Sequence, residues 1–232
     1  MNQNKAIIAG AAAVLVLVLG VLAYLFIGSN GDAADAGRAG DSAFERELLV
    51  AGPLGDMTKG DPEAPVTVIE YASLTCNHCA NFSVNTLPHL VENYVETGQV
   101  YYVLREFPYD PIATAGFMLA RCAGDERYFG FVDTLFERQT QWAFTQTPIE
   151  DLKAIARQGG FSDERFDQCM KDEAIFNHVK EVATRGRDTF AVASTPTFFI
   201  NGEKVEGALP WAEFEPIIKK ALADRGAAAS EE

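Results

Sequence analysis

The stretch YASLTCNHCANF, residues 71–82, holds two of the chain's four cysteines, Cys76 and Cys79, with Asn77 and His78 between them. Two thiols at this spacing can hold a metal, form an inert staple or exchange electrons. A zinc site takes four ligands, usually two such pairs or one pair with histidines. Here Cys122 and Cys169 stand apart, and His89 and His178 are isolated. Covalent haem attachment takes Cys-x-x-Cys-His, and residue 80 is Ala. A purely structural bridge across two residues closes a tiny loop and removes little entropy from the unfolded chain. No metal and no cofactor is expected, and dithiol–disulfide exchange is the chemistry that suits the pair.

That chemistry needs a thiolate held at a helix start. The β-branched run APVTVIEYA (64–72) follows a Gly/Pro-rich stretch and reads as a buried strand. The cysteines come after a three-residue turn. The next segment places Phe82, Leu87, Leu90, Val91 and Val95 near helical spacing, with a kink expected at Pro88 and a stop before Gly98. QVYYVLREF (99–107) is a second strand, so the whole reads as a βαβ unit with a parallel pair. Cys76 then sits at a helix N-terminus, where free N–H groups and the macrodipole favour negative charge. A protonated His78 would add positive charge. Both lower the thiol pKa, stabilise the reduced form and make the disulfide oxidising. Cys79, one turn inside, is the expected resolving thiol.

Residues 111–190 read as mostly helical. TPIEDLKAIARQGG carries a capping box, Thr147 with Glu150, and Pro148 in the first turn. Beyond it, Asn201-Gly202 between TFFI and EKV signals a hairpin, and PWAEFEPIIKKALA (210–223) a final amphipathic helix. The order is β-α-β, a helical block, then β-β-α. The strand halves form one sheet if the block is an insertion. The expected divisions are 53–110, 111–190 and 191–225, with a tail at 226–232.

Ahead of these lies Ala6–Ile27, a stretch without one charge. As a helix it would run ~33 Å, which matches a hydrocarbon core of about 30 Å. Residues 1–28 read as an uncleaved transmembrane signal-anchor, although the small residues at 32–37 would suit a peptidase. Lys5 before the segment and Asp32, Asp35, Arg38 and Asp41 after it put the following chain outside the cytoplasm, where disulfides form readily. Residues 29–52 read as a flexible tether, with a short ordered element possible in 44–53. The formal net charge is −14. Nucleic-acid binding needs Lys and Arg patches and is not expected.

Taken together, these motifs resemble the DsbA family, thiol–disulfide oxidoreductases with a thioredoxin fold interrupted by a helical domain. CNHC resembles the family's Cys-x-His-Cys. VIEYASLTC resembles the strand before it, with Glu70 six residues upstream of the first cysteine. STPTFFINGE resembles the loop with the active-site cis-proline, here Pro196. The likeness covers about 53–225. Asn77 departs from the Pro that many members carry there, and Thr195 before Pro196 also occurs in related isomerases.

The resemblance implies an α/β, thioredoxin-like fold with an inserted all-helical domain behind the N-terminal transmembrane helix. It implies mixed-disulfide chemistry at Cys76, resolution by Cys79, tuning by His78 and Asn77, and client pairing at Thr195 and Pro196. Glu70 is either an ordinary strand-end acid or a buried carboxyl that shuttles the proton of Cys79. Cys122 and Cys169 are expected to form a structural disulfide in an oxidising compartment, the alternative being two buried free thiols.

The expected function is oxidation of exported proteins with unpaired cysteines, by a monomer on the inner membrane whose catalytic domain faces the periplasm. A quinone-linked membrane partner would reoxidise it. The alternatives are a reductase or isomerase on the same fold, or a non-enzymatic chaperone or adaptor with a structural CxxC.

Overall fold

The computed structural model describes residues 43–229. The expected anchor, and the tether as far as residue 42, lie outside the described residues. Among the described residues, no helix is long and apolar enough to cross a membrane.

The sheet has five strands: β1 (Met57–Lys59), β2 (Val66–Ala72), β3 (Val100–Glu106), β4 (Thr197–Ile200) and β5 (Glu203–Glu206), in the order β1-β3-β2-β4-β5. β2 and β3 run parallel, in register from Val66 opposite Val100 to Ala72 opposite Glu106. The other pairings are antiparallel. All of β2 except Thr67 is buried, as expected of a central strand covered on both faces. The edge strand β1 was not expected, because three residues carry no readable alternation.

α1 (Ala43–Leu48) precedes the sheet. α2 (Asn77–Asn85) follows β2, and α3 (Leu87–Leu90) runs on into a π-helical turn, Val91–Val95. The expected kink is a break: Pro88 sits in the first turn of α3, where no N–H is needed. Between β3 and β4 come α4 (Pro111–Cys122), α5 (Asp125–Glu137), α6 (Gln139–Trp142), α7 (Pro148–Gln158), α8 (Asp163–Cys169) and α9 (Glu173–Asp188). α10 (Trp211–Ala229) closes the chain.

The inserted helices do not have a core of their own. One apolar cluster runs from Val68 of β2 through Phe82 of α2 to Phe117, Trp142 and Phe166 of the insertion. A second covers the other sheet face, with Leu48, Ile69, Tyr71, Phe190 and Phe199. Glu106, at the end of β3, pins the insertion from inside. It accepts from Arg121 at 2.6 Å and from the Tyr128 hydroxyl at 3.0 Å.

Two expectations need correction. Residues 43–52, counted with the tether, pack on the domain and begin with α1, within the stretch where the sequence allows a short ordered element. Leu48 is buried, and Arg105 donates to the carbonyls of Leu48 and Val50 at 2.8 and 3.2 Å. Thr147 does start α7 but makes no capping bond. Its hydroxyl donates instead to the Asp151 carboxylate at 3.3 Å, which also takes the Thr145 hydroxyl at 2.5 Å. The bond to Asp151 turns the hydroxyl to a donor's role, and the oxygen does not accept from the first turn of α7. The hairpin lies at Asn201 and Gly202, both at positive φ. Asn201 also pairs with Thr67 of β2, exchanging bonds of 2.8 and 3.0 Å.

Candidate redox site

Cys76 is the N-cap of α2, with extended backbone (φ −87°, ψ 117°), so the first N–H groups of the helix open toward it. Cys76 is 9% exposed, and Cys79 is wholly buried one turn on. Both are free thiols. Cys76 Sγ lies 3.3 Å from the Thr195 carbonyl oxygen. Hydrogen bonding from the Cys79 thiol outweighs burial and, with help from the Thr195 side chain and the N–H groups of Cys79 and His78, holds Cys76 down at about 5. Burial pushes Cys79 well above the ordinary thiol value, and its bond to Cys76 pushes it the same way. The two thiols are therefore unlike: one is held as a thiolate, the other protonated.

α2 is seated by aromatic packing. Phe82 stacks on Phe198 of β4 at 4.5 Å and meets Phe214 of α10 at 5.2 Å. Asn77 and His78 are exposed on the first turn. His78 reaches Cys76 through its backbone N–H.

Glu70 is 2% exposed. Its Oε2 accepts the Tyr102 hydroxyl from β3 at 2.5 Å. Burial raises the carboxyl to about 8, the Tyr102 bond opposes that, and the charge on Cys76 adds to it. At neutral pH this buried carboxyl carries a proton, and it is close enough to raise Cys79 further. Tyr102 was not anticipated. The strand pattern marked it only as one of two adjacent tyrosines.

The Thr195–Pro196 peptide is cis. The Thr195 hydroxyl is buried without a hydrogen-bond partner, beside the sulfur that can use it. Tyr109, 52% exposed, borders the same loop. Thr75 donates to Asp110 at 2.6 Å, which ties the redox turn to the cap of α4. Asp110 before Pro111 is a helix-start signal that could have found the cap, whereas Tyr109 carries none.

The family model described as Thioredoxin matches residues 54–220. The crystal structure of Wolbachia pipientis alpha-DsbA1 is 30% identical, superposes with a TM-score of 0.73, and covers 80% of this chain and 99% of that one. The chain belongs to the DsbA-like family. A Rickettsia prowazekii protein carrying a protein-disulfide oxidoreductase name is 34% identical over 158 residues, 65% of this chain and 56% of that protein. The chain thus spans about half the length of the curated relatives it matches. BdbD of Bacillus subtilis, at 18% identity and a TM-score of 0.65, shares the fold.

On this DsbA-like frame the other two cysteines are joined. Cys122 ends α4, Cys169 ends α8, and their sulfurs are 2.03 Å apart. Among the described residues, no group of three or more His, Cys, Asp or Glu side chains is placed to hold a metal.

Proposed function

We propose that this protein is a dithiol oxidase that introduces disulfides into exported proteins, acting outside the cytoplasm and held at the membrane by residues 6–27. The observation that carries the reading is the contrast between a Cys76 thiolate held at about 5 and a buried, protonated Cys79. A thiol that prefers to be a thiolate stabilises the reduced protein and makes its disulfide a strong oxidant.

The cycle starts from the Cys76–Cys79 disulfide. A client thiolate attacks Cys76 Sγ, on the less buried of the two cysteines, and forms a mixed disulfide. The Cys76–Cys79 bond breaks with its electron pair on Cys79, and Glu70 supplies the proton that the buried sulfur needs. A second client thiolate attacks the client sulfur of the mixed disulfide. Cys76 leaves as a thiolate. Two electrons have passed from the client dithiol to the protein, and Glu70 regains its proton from solvent. Thr195 and Pro196 flank Cys76 and offer backbone for an extended client strand. By family resemblance, a quinone-linked membrane protein takes the electrons onward.

The test is oxidation of a reduced two-cysteine peptide by the oxidised protein, with Cys76→Ala as control. The proposal expects stoichiometric peptide oxidation by the native chain and none by the variant. Oxidation that survived in Cys76→Ala would overturn it.

A further inference from the structure

The turn that delivers Cys76 is held by α4, by the cap of α4 and by α6. Leu74 packs so closely on α4 that a Cβ added to Gly116 would lie 2.8 Å from Leu74 Cδ1 and 3.0 Å from Trp142 Cη2. Thr75 is held by Asp110 at 2.6 Å. The third hold is Gln139, the first residue of α6, which is 4% exposed. Its Nε2 donates to the carbonyl of Leu74 at 2.8 Å and to that of Cys76 at 3.1 Å. An amide nitrogen has two N–H bonds, and both are used on the carbonyls that bracket Thr75. The Cys76 carbonyl also accepts from Ala80 at 3.1 Å, the first rung of α2.

We propose that Gln139 is a positioning residue for disulfide exchange: from the inserted helices it fixes the 74–75 and 76–77 peptide planes, and so sets the orientation in which Cys76 meets Cys79 and Thr195. This rests on the redox reading of the cysteine pair. The donors that hold charge on the Cys76 sulfur are directional, and their bonds weaken steeply with angle. A turn free to rotate at residues 74–76 misaligns several at once. That matters only while the sulfur is a thiolate. In the disulfide form the sulfur carries no charge, and the covalent bond to Cys79 fixes its place. Loss of Gln139 therefore acts unevenly on the two redox forms, which a purely structural role would not do.

The test uses the full chain with Gln139→Met, which keeps the volume and removes the donors, and Gln139→Glu, which replaces the amide with a carboxyl. Three quantities are read: the Cys76 titration by thiolate absorbance, the equilibrium with glutathione, and the Tm of the oxidised and the reduced protein. For Gln139→Met the Cys76 pKa rises by ~0.5–1 unit, and the glutathione equilibrium moves ~3–10-fold toward the protein disulfide. The reduced form loses more Tm than the oxidised one. Gln139→Glu, which loses the paired amide donors, shifts Cys76 the same way.

Equal Tm losses with an unchanged glutathione equilibrium would overturn the proposal. So would failure of both variants to fold, which would assign Gln139 to the fold alone. The Cys76 titration is read whether or not the protein oxidises a peptide, so failure here is distinguishable from failure of the oxidase reading.

Discussion

Cys76 Sγ lies 3.3 Å from the carbonyl oxygen of Thr195, 119 residues further along the chain. Its pair-mate Cys79 is buried one turn into α2. The two sulfurs of one motif thus meet different surroundings. Cys76 faces helix N–H groups and the Thr195 loop, while Cys79 faces apolar core and the Glu70 carboxyl. In the proposed cycle, this asymmetry suits Cys76 to form the mixed disulfide and Cys79 to resolve it.

It also fixes a pH dependence. The Cys76 thiol drops from 9.0 to about 5 on folding. Its stabilising contribution is fully present above pH 9 and is lost as pH falls through 5. The oxidised protein has no such titration. The reduced form should therefore gain stability relative to the oxidised form from pH 5 to pH 9. Thermal unfolding of both forms across that range checks this, and a pH-independent difference would contradict it.

Glu70 has the opposite sign. Burial raises it from 4.5 to about 8, so its contribution is complete below pH 4.5 and is lost as pH rises through 8. In Glu70→Gln the oxidised protein should lose the decline in stability between pH 4.5 and 8. Its mixed disulfide should also form more slowly, by up to ~10²-fold at neutral pH, because Cys79 leaves without a proton donor. Stopped-flow reaction with a reduced peptide reads that step, and an unchanged rate would remove Glu70 from the mechanism.

Much of this site could be read from the sequence because its parts are local. The CxxC sits between a β-branched strand and a helix pattern, so its place at the N-terminus of α2 follows from neighbours in the chain. Glu70 lies on the same strand, and Asn201-Gly202 announces its own turn. What could not be read is what long-range packing decides. Tyr102 reaches Glu70 because β3 lies beside β2, and Gln139 reaches the redox turn from another helix. Thr147 fits a capping box by pattern, yet its hydroxyl turns to the Asp151 carboxylate, which Thr145 also reaches.

Thr195→Val should raise the Cys76 pKa by roughly one unit. It removes a hydroxyl that can bond the thiolate, and bonds to charged groups contribute about 1.5–3 kcal/mol. The isosteric methyl leaves the loop packing in place. Absorbance titration of the reduced variant decides it, and an unshifted curve would show that the hydroxyl does not reach the sulfur.

The Cys122–Cys169 bridge closes a loop of 47 residues. In the chain-entropy treatment such a loop contributes up to ~4 kcal/mol. Cys122→Ala with Cys169→Ala should lower the denaturation midpoint accordingly, with peptide oxidation at Cys76 retained below that midpoint. Unchanged stability in urea would show that the bridge adds nothing to the fold.

The central claim is that the Cys76–Cys79 disulfide is oxidising because the reduced form is held as a thiolate. A glutathione redox titration of the purified protein measures this directly. The account predicts a reduction potential above about −200 mV, on the oxidising side of the glutathione pool. A value near the about −270 mV of thioredoxin would contradict it and make the protein a reductase.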